Sequence, residues 1–252
     1  MNIAVCIKQV VARDWQLRPT DDRTWIRDED ASFELNEPDA YALEEALRLK
    51  ERHGGEVVVC SAGPPRVAQA LREALARGAD RAIHVEDEAL ARADAFVTAE
   101  ALAAALKDER LDLVLTGLQS DDQGFGQVGV VLAERLGFAP ATIIMDVQVE
   151  DGRLRVKREL EGGWFQWITL PMPALLTIQS GINQLRYATL KGIMAAKKKE
   201  IRRVPGTQPR PRLAIASLYA PSKSKETRFI GGTPAEAARE LVRVLREEAR
   251  VF

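Results

Sequence analysis

Gly124, Gly126 and Gly129 sit close together in the stretch Gly117-Leu118-Gln119-Ser120-Asp121-Asp122-Gln123-Gly124-Phe125-Gly126-Gln127-Val128-Gly129, just ahead of an apolar-periodic run. Glycines in that position let a backbone approach a ligand closely. The open N–H groups and positive dipole end of the following helix then favour a phosphate. The spacing matches neither a Walker loop nor a GxGxxG fingerprint, and it equally suits a plain flexible turn. Two other loops would support a site here: Ala62-Gly63-Pro64, and Asn36-Glu37-Pro38-Asp39.

Residues that could transform a bound molecule are missing from the pattern. The chain has no serine nucleophile elbow, no HExxH and no His or Cys cluster at ligand spacing, so neither a catalytic residue nor a metal is expected. Glu159 and Glu161 flank a turn and are expected to be solvated. Cys6 and Cys60 lie in apolar runs, where a free thiol behaves as a small buried hydrophobe. His84, inside a strand-like run, is expected to be a satisfied core residue; His53 stands beside Gly54-Gly55. The chain is built to bind.

A second candidate region follows residue 178. Thr189 can cap a short helix carrying Leu190, Ile193 and Met194, after which come Lys197, Lys198 and Lys199 and then Arg202-Arg203. Two readings remain open from the spacing. One is a core helix with a solvated basic end; the other is an exposed apolar knob ringed by positive charge, which would steer and seat an acidic partner.

The elements that must position these residues are legible as β-then-α units. Residues 3–7 form a short continuous apolar run, the pattern of a strand covered on both faces. Pro38 opens a helix with Tyr41, Leu43, Ala46, Leu47 and Leu49 on one face, stopped at Gly54-Gly55. Strands are expected over 56–61, 81–85 and 111–117, and helices from Pro64-Pro65 to Gly78, over 93–109 and over 127–136. Such alternation predicts an α/β fold, a doubly wound and mainly parallel sheet of the Rossmann-like or adenine-nucleotide alpha-hydrolase-like kind. Ligands sit beyond the carboxyl ends of such strands, where the loops after residues 8, 61 and 117 converge. Period-two alternation over 154–160, a Gly162-Gly163 turn and the run 164–168 predict an added antiparallel hairpin; 174–178 is a further strand.

We expect a nucleotide-binding domain over 1–204, including the 180–200 region, a linker over 205–232 and a C-terminal helix over 233–252. The linker begins with the proline- and arginine-rich stretch 205–212. The helix opens with the capping box Thr233-Pro234-Ala235-Glu236, and spacing leaves open whether it folds back or embraces a partner.

Bulk properties narrow the class. The 252 residues are 46% apolar and 29% charged, ordinary for a globular protein and enough to bury roughly 70–75% of the unfolded surface. A net charge of −1 gives no bulk pull toward nucleic acid or anionic membrane. No apolar run approaches the roughly 20 residues that span a bilayer. Residues 1–5 show no signal or transit pattern, so a cytoplasmic protein is expected, or a mitochondrial-matrix one in a eukaryote.

Against this background three runs stand out: Val156-Lys157-Arg158-Glu159-Leu160-Glu161-Gly162-Gly163, Leu170-Pro171-Met172-Pro173-Ala174-Leu175-Leu176-Thr177, and Arg186-Tyr187-Ala188-Thr189-Leu190 with Ile193-Met194 and Lys197-Lys198-Lys199. They resemble the signature of electron-transfer flavoprotein beta subunits. The likeness extends through Val5–Val10, Asn36 and Ala42–Ala46, Gly78–Ala82 and the Gln119–Gly129 loop. It implies a heterodimer with an alpha subunit that carries most of an FAD site, while this chain adds a wall near the flavin and holds AMP as a structural ligand. By position, the resemblance assigns Cys6, Asn36, Glu37, Pro38, Asp39, Ala62, Asp122, Gln123, Gly124, Phe125, Gly126, Gln127, Val128 and Gly129 to the AMP site. Leu190 becomes the anchor toward partner dehydrogenases, with Ile193, Met194 and the basic Lys197, Lys198 and Lys199 beside it.

The implied role is an electron carrier between flavin dehydrogenases, such as acyl-CoA dehydrogenases, and a membrane quinone oxidoreductase. Arg13-Asp14-Trp15 and Pro38 stand where relatives often place aromatics near the flavin, and Gln184-Leu185 precede Arg186 where a proline is common. Some relatives hold a second FAD in place of AMP behind a GDTAQVGP-like loop; Asp121–Gly129 is closer to the AMP form. The rival readings are a stand-alone ATP- or AMP-binding sensor of the stress-protein type and a nucleic-acid module using residues 197–203. The second is disfavoured by the charge balance and the lack of interleaved aromatics.

Overall fold

Strand β1 (Asn2–Cys6) is buried on both faces, as its uninterrupted apolar sequence requires. A small antiparallel ribbon of β2 (Gln9–Val11) and β3 (Phe33–Leu35) leads to helix α1 (Glu37–His53), which has proline in its first turn and ends at Gly54. Then come β4 (Glu56–Gly63), α2 (Ala68–Arg77), β5 (Arg81–Glu86), a 3-10 turn over Glu88–Arg92, α3 (Ala95–Leu106), β6 (Leu113–Gly117) and α4 (Val128–Leu136). The second half holds β7 (Ala139–Glu150), β8 (Arg153–Glu159), β9 (Phe165–Pro171), β10 (Ala174–Ile178), α5 (Leu190–Ala196), β11 (Ile201–Pro205) and α6 (Pro234–Arg243). This computed structural model describes residues 1–206, 209–221 and 227–252.

The main sheet has nine strands in the order β11-β5-β4-β1-β6-β10-β7-β8-β9. It is parallel from β11 to β7 and antiparallel from there to β9. Alternate residues of each strand feed two cores. On one face Ile3, Val5, Val57 and Leu115 meet Leu43, Leu47, Leu71 and Leu75 of α1 and α2. On the other, Ala4, Cys6, Val58 and Ile83 meet Leu102 and Leu106 of α3 and Leu132 of α4. The expected doubly wound α/β sheet and its antiparallel hairpin are both present.

Four strands were not visible in the sequence pattern: β2 and β3 of the small ribbon, and β7 and β11 of the main sheet. In β7 the buried residues Ala141, Ile144 and Val147 recur every third position, because the pairing shifts register against both β10 and β8. At that bulge Ile143 adopts φ 62°, an uncommon conformation for a β-branched residue. The short strand β11 pairs parallel to β5, Ile201 to Pro205 against Ala82 to Glu86, at the end of what reads in sequence as a basic run.

The chain divides into two compact units, Met1–Leu218 and Tyr219–Phe252. Residues 209–218 thus belong to the first unit: the amides of Arg212 and Leu213 donate to Asp94 Oδ2 at 2.6 and 2.8 Å, and that of Leu218 donates to the Arg23 carbonyl at 2.7 Å. Residues 207–208 and 222–226 of the expected 205–232 linker lie outside the described residues. In the second unit the expected capping box at Thr233 and Glu236 forms, and Arg243 bridges Glu240, Glu247 and Glu248.

Candidate functional site

The carboxyl ends of β1, β4 and β6 open onto one cleft, floored by Cys6, Ala62, Thr116 and Gly117. Its geometry starts with Asp39 in the first turn of α1. This buried carboxylate accepts the Lys8 N–H through Oδ2 and the Gly117 N–H through Oδ1, each at 2.8 Å. Burial pushes its pKa up to about 6, against the opposing pull of the N–H groups of Gly117 and Lys8, of Asn36 and of the Lys8 charge. Gly117 has to be glycine for the two elements to meet. A Cβ there would lie 2.6 Å from Asp39 Oδ1 and 2.7 Å from the Asp39 nitrogen and the Pro38 carbonyl carbon.

The glycine-spaced loop is tied down from the opposite side. Asn36 donates to the Gln119 carbonyl at 3.1 Å and accepts the Asp121 N–H at 2.9 Å. Lys8 Nζ reaches Asp122 at 2.7 Å, Gln123 at 3.0 Å and Ser120 Oγ at 3.4 Å. Arg13 pairs with Glu37 and, at 3.2 Å, with Asp121. Left-handed φ values at Gly124 (65°) and Gly126 (61°) carry the chain round to α4 at a conformation glycine tolerates without strain. Gly129 then lets α4 settle on the sheet: a Cβ would meet Thr177 Cγ2 at 2.6 Å and Thr116 Oγ1 at 2.8 Å. No side chain among the described residues caps α4, and Gln127, Val128 and Gly129 line the cleft. An uncapped helix start bordering a cleft is a site for an anion.

The facing wall is mainly apolar, made by Leu90 and Ala91 of the 3-10 turn, Ala93, and Ala95, Thr98 and Leu102 of α3. The cleft holds about 810 Å³ of open space counted together with its mouth to solvent. An apolar slot ending at helix N–H groups fits a nucleoside phosphate. The thiols are not nucleophiles. Burial, then the neighbouring Cys60 and Asp39, push Cys6 well above its ordinary range, and burial pushes Cys60 up to about 12. His84 is buried with Nε2 3.1 Å from the Gly63 carbonyl, a core histidine as expected. Among the described residues, no cluster of His, Cys, Asp or Glu could hold a metal ion.

Of the residues expected at the site, Cys6, Asn36, Asp39, Ala62, Gln123, Phe125, Gly126, Gln127, Val128 and Gly129 line the cleft together. Glu37, Pro38, Asp122 and Gly124 stand behind it: Glu37 holds Arg13, Asp122 holds Lys8, Pro38 begins α1 and Gly124 makes the turn. Lys8 and the 90–102 wall were missed. Lys8 follows directly on the apolar run of β1, and a cation at the carboxyl end of a central strand was the available signal. The wall is made mostly of Leu and Ala, which carry no spacing signal.

The second candidate region forms an exposed arm. Thr189 caps α5 by accepting the Gly192 N–H at 3.0 Å. Leu190 is 78% exposed and Met194 56%, and Ile193 is also exposed. Lys197 and Lys198 are exposed, but Lys199 turns inward, donating to the Leu75 carbonyl at 3.3 Å and to that of Ala79. Partial burial accordingly lowers its pKa. The arrangement is an apolar knob with the exposed cations of Lys197 and Lys198 beside it.

Comparison with known proteins identifies the family. The family model of the electron transfer flavoprotein domain matches residues 24–209. An electron transfer flavoprotein subunit beta of Methylophilus methylotrophus is 36% identical, covering 98% of both chains. One of Bacillus subtilis is 35% identical over the full length of both. A Caffeyl-CoA reductase-Etf complex subunit, CarD, of Acetobacterium woodii is 36% identical over 98% of this chain and 99% of its own. With a matching family model and full-length likeness to beta subunits, this chain belongs to the electron transfer flavoprotein family.

Proposed function

We propose that this chain is the beta subunit of a heterodimeric electron carrier and that its cleft holds AMP as a structural ligand. Paired with an alpha subunit, it would contribute to the seat of an FAD that takes electrons from flavin dehydrogenases, acyl-CoA dehydrogenases among them, and hands them to a membrane quinone oxidoreductase. The observation that carries the reading is the cleft: an apolar wall facing the uncapped start of α4, with Asp39 and Lys8 locking the loop between them. The wall suits an adenine and the helix start a phosphate.

FAD supplies the redox chemistry when bound, and the protein supplies binding and orientation. Asp39, Asn36 and Lys8 hold the Gly-rich loop rigid around the adenylate. Arg13, Asp14, Trp15 and Pro38 are the residues we place toward the flavin. Leu190, with Ile193 and Met194, forms the contact for reducing dehydrogenases, while Lys197 and Lys198 accelerate encounter with an acidic surface. Residues 233–252 embrace the partner subunit. Among the described residues no helix is long and apolar enough to cross a membrane, and we place the carrier in the cytoplasm, or in the mitochondrial matrix of a eukaryote.

Co-expression with the alpha-type partner, an absorbance scan and chromatography of the extracted nucleotides test this directly. The expected product is a yellow heterodimer releasing one FAD and one AMP. Colourless material, or a heterodimer without adenine ligand, overturns the reading; two FAD and no AMP overturns the assignment of the cleft.

A further inference from the structure

Helix α1 carries carboxylates that the cleft does not use. Glu44 and Glu45 lie in its middle and are buried, and both bond the segment that leads into α5. Arg186 closes on Glu44 as a fork: Nε donates to Oε2 at 2.9 Å and Nη2 to Oε1 at 3.0 Å, while its own backbone N–H donates to Oε2 at 3.1 Å. The same guanidinium also reaches exposed Glu51 through Nη1, and through Nη2 at 3.2 Å. Asn183 donates to the Tyr41 carbonyl at 3.1 Å and to Glu45 at 3.2 Å. Burial alone would raise the Glu44 pKa, but the bonds from Arg186 and Arg48 hold its carboxyl below the ordinary range.

The far end of the arm is fastened separately. Arg72 of α2 donates from Nη1 to the carbonyls of Ala196 and Lys199, both at 2.6 Å. A Cβ on Gly192 would lie 2.2 Å from the Ala76 carbonyl oxygen, so α5 lies against the backbone of α2. Between these fastenings Tyr187, Leu190, Lys191, Ile193 and Met194 are exposed.

We propose that Arg186 is the positioning residue of the docking arm, its bidentate pair with buried Glu44 setting where Leu190 is presented to an incoming reductant. The inference rests on the reading of α5 as the docking surface. Arg48 also donates to Glu44 Oε1, at 2.9 Å, but a buried carboxylate that loses one of its cationic partners is penalised, so the pair disfavours other arrangements of Arg186. A planar fork also fixes direction as well as distance, which a lysine cannot do.

The test uses the FAD-loaded heterodimer with an acyl-CoA dehydrogenase, reduced by its acyl-CoA substrate, as the electron donor. Arg186→Gln is expected to raise KM for the dehydrogenase about tenfold with kcat and flavin content unchanged, and Arg186→Lys to fall between the two. Amide exchange over residues 187–196 should accelerate about tenfold in Arg186→Gln. An unchanged KM overturns the proposal even where exchange accelerates, and so does a joint loss of kcat, KM and flavin that Arg186→Lys does not relieve. Leu190→Ala separates the premises. If it raises KM and Arg186→Gln does not, the positioning role alone falls; if it leaves KM unaltered, the docking reading falls and the clamp with it. Should Arg186→Gln fail to accumulate as heterodimer, Glu51→Gln decides, with a two- to threefold rise in KM, roughly the worth of an exposed pair, expected and no change overturning the clamp.

Discussion

Asp39 holds the ends of two adjacent parallel strands in register, taking the N–H of Lys8 on one carboxylate oxygen and that of Gly117 on the other, both at 2.8 Å. Asp39→Asn keeps one acceptor and turns the other into a donor facing an N–H. The expected loss is about 1–3 kcal/mol, read as a lower urea midpoint of the heterodimer together with weaker AMP retention.

The pH dependence of that loss has a definite sign. In the fold Asp39 titrates near pH 6, pushed up by burial, against roughly 3.9 in an unfolded chain. Between those values the folded state holds the extra proton, so the contribution of Asp39 to stability is full below about pH 4 and declines until about pH 6, on the order of 3 kcal/mol across the window. Wild type minus Asp39→Asn stability, measured by urea unfolding from pH 4 to 7, should therefore grow as pH falls. A flat difference excludes the raised pKa.

Two glycines in the same loop region are expected to behave differently. Gly117→Ala drives a Cβ into backbone atoms of Pro38 and Asp39 that cannot move aside. It should cost at least the 1–3 kcal/mol or so of overpacking and empty the cleft of nucleotide. At Gly124 the nearest atom is the Ser120 carbonyl oxygen at 4.0 Å, and only the left-handed backbone is at stake. Gly124→Ala should cost about 1 kcal/mol and leave the nucleotide in place. Thermal melts and extracted-ligand assays on the two variants check the contrast.

Leu190→Ala removes an exposed side chain with little to support in the fold. Stability should stay within about 0.5 kcal/mol and flavin content should not change, while electron uptake from a reduced dehydrogenase slows. Equal rates for variant and wild type remove the anchor role.

The lysines of the 197–199 run should separate. Replacing Lys197 and Lys198 by Gln is expected to flatten the ionic-strength dependence of electron uptake with no effect on melting, since exposed charges steer encounter through a screened field. Lys199→Gln deletes donors to the carbonyls at the end of α2. It should lower stability by about 1 kcal/mol and leave the salt dependence alone.

The sequence was legible wherever one physical rule acted alone. Continuous apolar runs became β1, β4 and β6 because helices cover both sheet faces, and the Thr233 capping box formed as its spacing requires. Strand β7 was hidden because the bulge at Ile143 converts a two-residue rhythm into a three-residue one. The cleft was legible from its glycines but not from its apolar wall, since Leu90, Ala93 and Leu102 look like any core residues until the fold turns them toward a cavity. Lys199 looked like its two neighbours because sequence gives charge without direction; the Leu75 and Ala79 carbonyls around the end of α2 supply the direction.

Asp39 and Glu44 stand on one helix, the first committed to the cleft and the second to the arm. Five residues of α-helix span about 8 Å, and each residue advances the spiral by about 100°. Inserting or deleting a single residue between them would leave one carboxylate facing its partner and swing the other away. The segment 39–44 therefore works as a gauge block of fixed length, intolerant of a change in residue count, and it ties the spacing between the cleft and the arm to the pitch of a helix.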